Sequence, residues 1–205
     1  MPDSVRNKER SRERFLQAVG EILTTKGFAA LKINAIAEVA GLDKKLIYKY
    51  FGGLDQLLDE YLRTKDFWSS VKEELIPQTV TDGGKAFSEA MLLQQYEQMN
   101  SNPELQKIIL WRLSEQRKSL TTLLDNQERT GELLFRNMTD PHFGESAGRY
   151  RAVAAVLVAG IYYLNLHTAM NTGTFCGIDI SSEEGRRQIQ EAISFLNRQA
   201  FEQIH

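Results

Sequence analysis

The stretch from Ile36 to Gly53 constrains the fold most, because it reads as two short helices joined by a glycine turn. Ala37 is small enough to let the second helix cross close over the first, and Gly41 can adopt the positive φ that such a turn needs. Asp43 follows the turn and can accept a backbone N–H to cap the second helix. The pattern therefore predicts a helix-turn-helix. Its apolar seam consists of Ile36, Ala40, Leu42, Ile47 and Tyr50.

Apolar residues with helical spacing continue on both sides of this motif. A first helix ends at Gly27, and a fourth begins near Leu54 and continues by the same period to Glu74 or Leu75, before Pro77. The first helix has one apolar face, formed by Phe15, Ala18, Val19, Ile22 and Leu23. The fourth helix is expected to join two domains.

The rest of the chain also reads as helices, and no β-alternation of useful length appears. Asn102 is a candidate cap, a capping box at Ser181 to Glu184 opens the last helix, and residues 140–144 interrupt the pattern. The later helices are expected over residues 85–100, 103–114, 117–138, 147–171 and 181–204. The sequence thus predicts an all-α fold with about nine helices in two domains.

Charge is distributed unevenly along the chain. Residues 1–54 contain 10 Lys or Arg and 6 Asp or Glu, a balance of +4, whereas residues 55–205 have a balance of −6. The basic part holds the helix-turn-helix, and a local positive field attracts phosphate even when the total charge is near neutral. A nucleic-acid partner is therefore compatible with the net charge of −2.

These features together resemble the DNA-binding domain of the tetracycline-repressor (TetR) family of bacterial transcriptional regulators. The resemblance covers roughly the first third of the chain in motif and the remainder only in helical layout and length. It rests on Gly27-Phe28, Ile36-Ala37, Ala40-Gly41, Tyr48-x-Tyr50-Phe51 and Leu57-Leu58. It implies a three-helix DNA-binding domain over residues 1–53, with the motif at about 32–51, and a helical effector-binding and dimerisation domain over residues 54–205.

Three positions depart from the family pattern. Lys32 stands where a Ser or Thr usually caps helix two, Lys45-Leu46 where the recognition helix usually has a small or hydroxyl residue, and Leu54 where a Lys commonly opens helix four. The first and third changes remove a cap or a phosphate contact, so the phosphate contacts must be redistributed. The expected DNA-contacting residues are Lys32, Asn34, Lys44, Lys45, Tyr48, Lys49 and Tyr50, with Tyr48 assigned to the DNA backbone and Tyr50 to a partial core position.

Lysines at the start of such a helix can neutralise phosphates and reach guanine acceptors in the major groove. The alternative is an ordinary solvated helix face in a helical protein that does not bind DNA. A basic N-terminal arm favours DNA less strongly, because acidic residues intervene and can pair with it on the helix surface. The arm contains Arg6, Lys8, Arg10, Arg12 and Arg14, of which Arg6 and Lys8 are expected to help affinity.

By resemblance, the C-terminal helices surround an effector cavity, and the scarcity of charge on their inner stripes predicts a small, mainly apolar ligand. The candidate effector residues are Trp68, Tyr96, Trp111, Glu115, Tyr163 and His167. Aromatic residues at helical spacing are also ordinary core residues, and that interpretation stays open for each. Small residues in helix 147–171 and the apolar stripe of helix 181–204 predict a four-helix interface with a second copy, whereas burial within one subunit is the alternative.

The leading hypothesis is a ligand-responsive repressor that binds a palindromic operator as a homodimer. The second is an effector-binding or protein-interaction module with altered or lost DNA binding. An enzyme has little support, since no catalytic constellation stands out, and neither a metal ligand set nor a cofactor is expected. Cys176 is the only cysteine, and residues 1–8 lack the apolar core of a signal peptide. We therefore expect a cytoplasmic protein with no membrane partner.

Overall fold

The computed structural model describes residues 2–65, 81–171 and 173–204. Most of these residues are helical and none of them forms a strand, since the one β-pairing among them is an isolated antiparallel bridge between Phe175 and Ile178, and the all-α prediction is confirmed. Contacts divide the chain into two compact units. The first comprises Met1–Ser69 and Lys107–Asn126, and the second comprises Ser70–Gln106 and Gln127–His205. The domain boundary predicted at residues 53 and 54 stays a prediction.

The first unit contains the predicted helices at the expected places. Its helices are α1 Pro2–Lys26, α2 Ile33–Ala40, α3 Lys45–Phe51 and α4 Leu54–Arg63. Gly27 ends α1 with a φ of 79°, a conformation that favours glycine. The apolar face predicted for α1 is buried in full, against Ile36 of α2 and Ile47 of α3. The proposed extension of α4 to residues 74 or 75 lies outside the described residues.

Two further helices lie partly in the first unit: α6, Pro103–Ser114, and α7, Lys118–Leu134. Asn102 caps α6 as predicted, since its side-chain oxygen accepts the Leu105 N–H at 3.0 Å. Ile108, Trp111 and Leu120 are buried in the same apolar cluster as the α1 residues. The core of the first unit is therefore completed by a segment far along the chain.

The second unit is built on α5, Lys85–Ser101, α9, Ala147–Met170, and α10, Glu183–Gln203, which pack against one another. The buried Asn197 side chain ties α10 to its neighbours: its oxygen accepts from the Tyr150 hydroxyl at 3.0 Å, and its nitrogen donates to the Lys85 carbonyl at 3.3 Å. Phe143, Tyr150 and Phe201 form an aromatic cluster beside it.

Two local predictions about helix ends are wrong. The interruption expected over residues 140–144 is largely helical: a π-helical turn at Phe135–Thr139 leads into α8, Asp140–Phe143. Pro141 is tolerated there because the N–H groups in the first turn of a helix have no acceptor within that helix, so the N–H that proline lacks is not missed. The cap of α10 is Ser182, whose hydroxyl accepts the Gly185 N–H, whereas the hydroxyl of Ser181 donates to Asp179.

Candidate nucleic-acid interface

The turn between α2 and α3 has the geometry that the sequence predicts. Gly41 adopts a φ of 60°, and the N–H groups of Gly41 and Leu42 donate to the carbonyls of Glu38 and Ala37 at 3.0 and 3.1 Å. A side chain at Gly41 would be strained by this φ and would also approach the Arg14 guanidinium at 2.9 Å. The turn thus fixes the angle between the two helices.

The start of α3 is held by Asp43, whose carboxylate accepts the Lys45 N–H at 2.8 Å, as expected for a capping residue. Ile47 and Phe51 point into the core, so the opposite face of α3 is left for solvent. On that face Tyr48 is 56% exposed, which is high for so large an aromatic side chain. The exposed residues there are Lys44, Lys45, Tyr48 and Lys49.

The two helices of the motif bring predicted residues together. The Lys44 ammonium donates to the Asn34 side-chain oxygen at 3.2 Å, which joins the start of α3 to the first turn of α2. Lys32 precedes α2, is exposed, and makes no side-chain cap hydrogen bond. The loss of a cap predicted from this departure is therefore confirmed, and the Lys32 ammonium lies at the surface.

Tyr50 is half-buried against the core of the first unit, in agreement with its predicted partial core position. The ammonium groups of Lys8 and Lys49 each lie 5.9 Å from the centre of its ring, within cation–π range. Two cations from α1 and α3 thus flank one phenol. Lys8 is exposed, as are the neighbouring Arg6 and Arg10.

Arg12 of the N-terminal arm has a structural position instead. Its guanidinium donates to the Tyr50 carbonyl at the end of α3 and to both carboxylate oxygens of Glu60 in α4, at 2.5 and 2.6 Å. It also lies 4.6 Å from the centre of the Phe51 ring. Arg12 therefore connects α1, α3 and α4, and we do not include it among the residues expected to contact DNA.

The six predicted effector residues are not brought together. Trp68 lies outside the described residues, and Trp111 and Glu115 fall in the first unit. Trp111 is almost fully buried, stacks parallel to Phe28 at 6.2 Å between ring centres, and donates from its indole N–H to Glu115 at 2.8 Å. Trp111 is thus paired with Glu115, one helical turn away, and is a core residue of the first unit.

The other three predicted effector residues belong to the second unit. Tyr96 is fully buried in α5, its hydroxyl has no hydrogen-bond partner among the described residues, and burial raises the pKa of that phenol. Tyr163 and His167 lie 6.1 Å apart, ring centre to ring centre, and both contact Phe175. Tyr163 is 56% exposed, so this aromatic group lies at the surface of the unit. Their effector role stays a prediction.

Sequence reasoning missed two features. Tyr162, next to the predicted Tyr163, is the tyrosine that faces its own unit: its hydroxyl accepts from the Gln95 amide at 2.8 Å and from the Gln127 amide at 2.5 Å. The helical period could have found it, because Tyr162 lies three and four positions before the buried Asn165 and Leu166 and so shares their face of the helix. The second feature is Arg117, which binds two aspartates of α4 more than fifty positions away. No local pattern reveals such a contact.

Residues 16–61 match the family model for bacterial regulatory proteins of the tetR family. The matched segment begins within α1, includes all of α2 and α3, and ends within α4, so it contains the complete helix-turn-helix. No curated protein sequence matches the chain significantly. Within the described ranges, no group of three or more His, Cys, Asp and Glu side chains is arranged to hold a metal ion.

Proposed function

We propose that this chain, whose residues 16–61 form a DNA-binding domain of the tetR family of transcription regulators, is a ligand-responsive repressor that acts as a homodimer on a palindromic operator. The observation that carries the proposal is the exposed face of α3. Three lysines and Tyr48 stand there on a helix whose opposite side is locked into the core. We propose no catalytic activity.

This face has the chemistry that DNA recognition requires. The major groove admits one α-helix, and lysine can reach guanine O6 and N7, while ammonium groups also neutralise phosphates and release counterions. Lys44 and Lys45 begin the helix, where helix-turn-helix proteins contact base edges. Tyr48 and Lys49, with Lys32, Asn34 and Tyr50 beside them, are proposed to hold the DNA backbone and so to set the position of α3.

Exposed apolar residues on α9 and α10 support a homodimer. Val156, Tyr163 and Met170 recur every seven residues along α9, and Val156 is 72% exposed. On α10, Phe195 and Leu196 are about half exposed. Soluble proteins rarely leave such stripes open, because burying apolar surface against a partner is favourable. A four-helix interface between two copies would cover both stripes, and two copies of α3 would suit a palindrome.

The second unit is the proposed place for the effector. The buried hydroxyl of Tyr96 supports this, since it has no partner in the part of the chain that the structure describes, and buried polar groups ordinarily have a partner, which a bound molecule can supply. We propose a small and mainly apolar effector, because Tyr96 lies among buried apolar residues of α5 such as Leu92 and Met99. Ligand contacts that differ between two states of the protein would shift operator binding by their difference in free energy.

A cytoplasmic location fits a DNA-binding regulator, and we include it in the proposal. The helical run over residues 118–170 is long and apolar enough to meet a length and hydropathy criterion for crossing a membrane. Core helices of soluble proteins meet the same criterion, so this run is weak support for a membrane role.

The second candidate function is an effector-binding or protein-interaction module that has lost operator binding. It is favoured by Lys32, which leaves α2 without a side-chain cap, and by Leu54, which opens α4 without the usual cation. The first departure removes a cap of α2, and the second removes a cation that could bind a phosphate at the start of α4. The affinity for duplex DNA separates the two candidates.

The experiment is selection of duplexes from a random pool by the full-length protein, followed by affinity measurements as the salt concentration rises. We expect a palindrome to be enriched and bound far more tightly than random duplexes, with an affinity that falls steeply with salt. If selection enriches no sequence and binding stays in the non-specific range of roughly 10⁻⁴ to 10⁻⁶ M, the repressor proposal is wrong and the second candidate is favoured.

The effector is tested separately by thermal-shift screening of a library of small molecules. Apolar compounds should stabilise the protein, and replacing Tyr96 by Phe should weaken hits that satisfy its hydroxyl. The replacement removes only the polar atom, so the packing of the ring is retained. Stabilisation by sugar phosphates or metal ions alone would contradict the proposed effector class.

A further inference from the structure

Asn34 and Lys44 form a hydrogen-bonded pair on the surface of the helix-turn-helix. Asn34 lies in the first turn of α2, Lys44 directly precedes α3, and both are exposed. The Lys44 ammonium donates to the Asn34 side-chain oxygen at 3.2 Å. Because an ammonium group has only donors, the carboxamide must turn its oxygen towards Lys44. The amino group of the Asn34 carboxamide therefore points away from Lys44, and the oxygen retains a second lone pair.

Both side chains line an open groove of about 430 Å³ between α2 and the start of α3. The carboxylates of Glu38 and Asp43 line the same groove, and Ala37 and Leu42 contribute apolar surface. Two carboxylates and one ammonium make this lining negative on balance, so a phosphate is disfavoured in the groove. The groove instead suits a surface that carries amino groups and a methyl group.

The edges of base pairs in the major groove have this chemistry. An A·T pair presents the adenine N6 amino group, the adenine N7 acceptor and the thymine methyl group, and asparagine binds N6 and N7 together. The Asn34 oxygen can accept from N6 while its amino group donates to N7, and Ala37 offers apolar contact to the methyl group. Lysine has donors only and binds guanine O6 and N7. The pair is thus matched to two different base pairs.

These two base pairs must be neighbours in the DNA. The Lys44 ammonium and the Asn34 oxygen are 3.2 Å apart, and successive bases are stacked about 3.4 Å apart along duplex DNA. We propose that Asn34 is a specificity-determining residue that reads an A·T pair directly beside the G·C pair read by Lys44, once in each half-site of the operator. The inference rests on the proposed function and names part of the DNA sequence that it recognises.

The main chain of α2 can hold the DNA backbone while the Asn34 side chain reads a base. Lys32 gives α2 no side-chain cap, and the N–H groups in the first turn of a helix have no acceptor within that helix. A phosphate can bind these N–H groups, as it does at other helix N-termini. Asn34 then contributes to the backbone contact through its N–H and to the base contact through its side chain.

The test uses the full-length protein and three variants of the pair. Asn34→Ala removes both hydrogen-bonding groups, Asn34→Asp keeps an acceptor but removes the donor, and Lys44→Ala removes the neighbouring base contact. An aspartate is also favourable in the first turn of a helix, so Asn34→Asp should retain α2. The matched control is Asn100→Ala, which makes the same change at an exposed position of α5 in the second unit.

The unchanged protein first selects a duplex from a random pool. The affinity of each variant is then measured for that duplex and for all of its single-base-pair changes, and circular dichroism checks that each variant is folded. A purely structural role of Asn34 would lower the affinity for every duplex by the same factor, whereas a base contact changes the preference at one position.

We expect Asn34→Ala to lose a preference for A·T of about five- to 150-fold at one position of each half-site, the discrimination typical of one bidentate contact. Lys44→Ala should lose the preference for G·C at the adjacent position. Asn34→Asp should change the preference from adenine to cytosine, whose N4 amino group donates to a carboxylate. Asn100→Ala should match the unchanged protein.

The inference is overturned if Asn34→Ala changes the preference at no position, or if the positions affected by Asn34→Ala and Lys44→Ala are not neighbours. Either result leaves the proposed function intact, because the unchanged protein has then selected a duplex. If it enriches no duplex at all, the proposed function fails and the inference fails with it.

Discussion

At the scale of single residues, the lysines on and around α3 do not have equivalent positions. Lys44 is held by Asn34, whereas Lys45 begins the helix with its side chain exposed and its N–H bound by Asp43. A tethered ammonium loses less freedom when it binds a fixed acceptor. Lys44 is therefore suited to a defined base edge, and Lys45 can adapt to a base or a phosphate.

We expect Lys44→Ala and Lys45→Ala each to lose about 1–3 kcal/mol of operator affinity if the residue contacts a base edge, with relaxed preference at one position of the operator. Tyr48→Phe should weaken binding without changing the preference, because it removes one hydroxyl from a backbone contact. The measurement is affinity for the selected duplex and for its single-base variants. Lys26→Ala, which removes an exposed lysine at the end of α1, is the control.

A uniform loss across all sequences would assign the lysine to a phosphate instead. Unchanged affinity in all three variants would mean that DNA is contacted by another surface.

Lys8 gives a second prediction at this scale. It lies beside Tyr50 and Lys49, so two ammonium groups at this edge of α3 are suited to one stretch of phosphates. Lys8→Gln should weaken binding to all duplexes alike and lower the slope of log affinity against log salt by about 0.9, the value for one phosphate contact on duplex DNA. Lys26→Gln should leave the slope unchanged. Equal slopes for both variants would place Lys8 outside the interface.

At the scale of helices, the segment Lys107–Asn126 completes the core of the first unit. We expect Trp111→Ala to destabilise that unit by about 3–5 kcal/mol, the usual cost of truncating a buried tryptophan, because it empties the space against Phe28. Leu113→Ala, on the same helix but largely exposed, should cost little. The difference in the free energy of unfolding is measured by urea titration, with amide hydrogen exchange in α1 to α4 as the probe. Similar losses for both variants would contradict this role of Trp111.

Acid should loosen the contact between this segment and α4. Burial tends to raise the pKa of Asp59, but hydrogen bonds from Ser119 and Arg117 and the charge of Arg117 outweigh it, so the pKa lies below its usual value of 3.8. A carboxyl whose pKa is lowered by folding contributes stability above its unfolded-state pKa and loses it as the pH falls through the folded value. Asp59→Asn should therefore flatten the decline in stability below roughly pH 4.

The comparison is made by urea unfolding at a series of pH values. Asp125→Asn replaces an exposed aspartate of the same segment and serves as control. If the free energy of unfolding falls with the same steepness in Asp59→Asn and in the unchanged protein, ionised Asp59 does not stabilise the fold through these hydrogen bonds.

Helices and their buried faces were predictable because both depend on residues close in sequence. The period of α1, the glycine at residue 41 and the cap at Asn102 each act within one or two turns, and each prediction is confirmed. The cap at Ser182 was misplaced by one residue, since Ser181 had the same local signal but is engaged by Asp179. Arg117 could not be predicted, because its partners Asp55 and Asp59 are brought to it only by the fold.

The proposed interface shows the same limit. The lysines of α3 were found from the motif, and the likeness of residues 16–61 to the tetR family rests on the same local residues. The candidate effector residues follow from residue type, helical spacing and the family resemblance, none of which determines the direction of a side chain within its unit. The sequence therefore does not distinguish Tyr163, which is 56% exposed, from its neighbour Tyr162, whose hydroxyl accepts from Gln95.

For the whole molecule, the proposed dimer depends on α9 and α10. The stripe of Val156, Tyr163 and Met170 is accompanied by exposed small residues, among them Ala155, that would let a partner helix approach closely. Phe195 and Leu196 continue the apolar surface on α10. A palindromic operator is bound with high affinity only when two copies of α3 are presented together, so loss of the dimer must also weaken DNA binding.

Ala155→Arg and Leu196→Arg should therefore yield helical monomers, because an arginine buried at the interface would be an unpaired, desolvated charge. Sedimentation velocity should show half the mass of the unchanged protein, with an unaltered helical circular dichroism spectrum. Operator affinity should fall towards the non-specific level, since each monomer contacts one half-site. Gln94→Arg places the same side chain at an exposed position on α5 and should leave the dimer intact. Intact dimers in both interface variants would show that another surface joins the two copies.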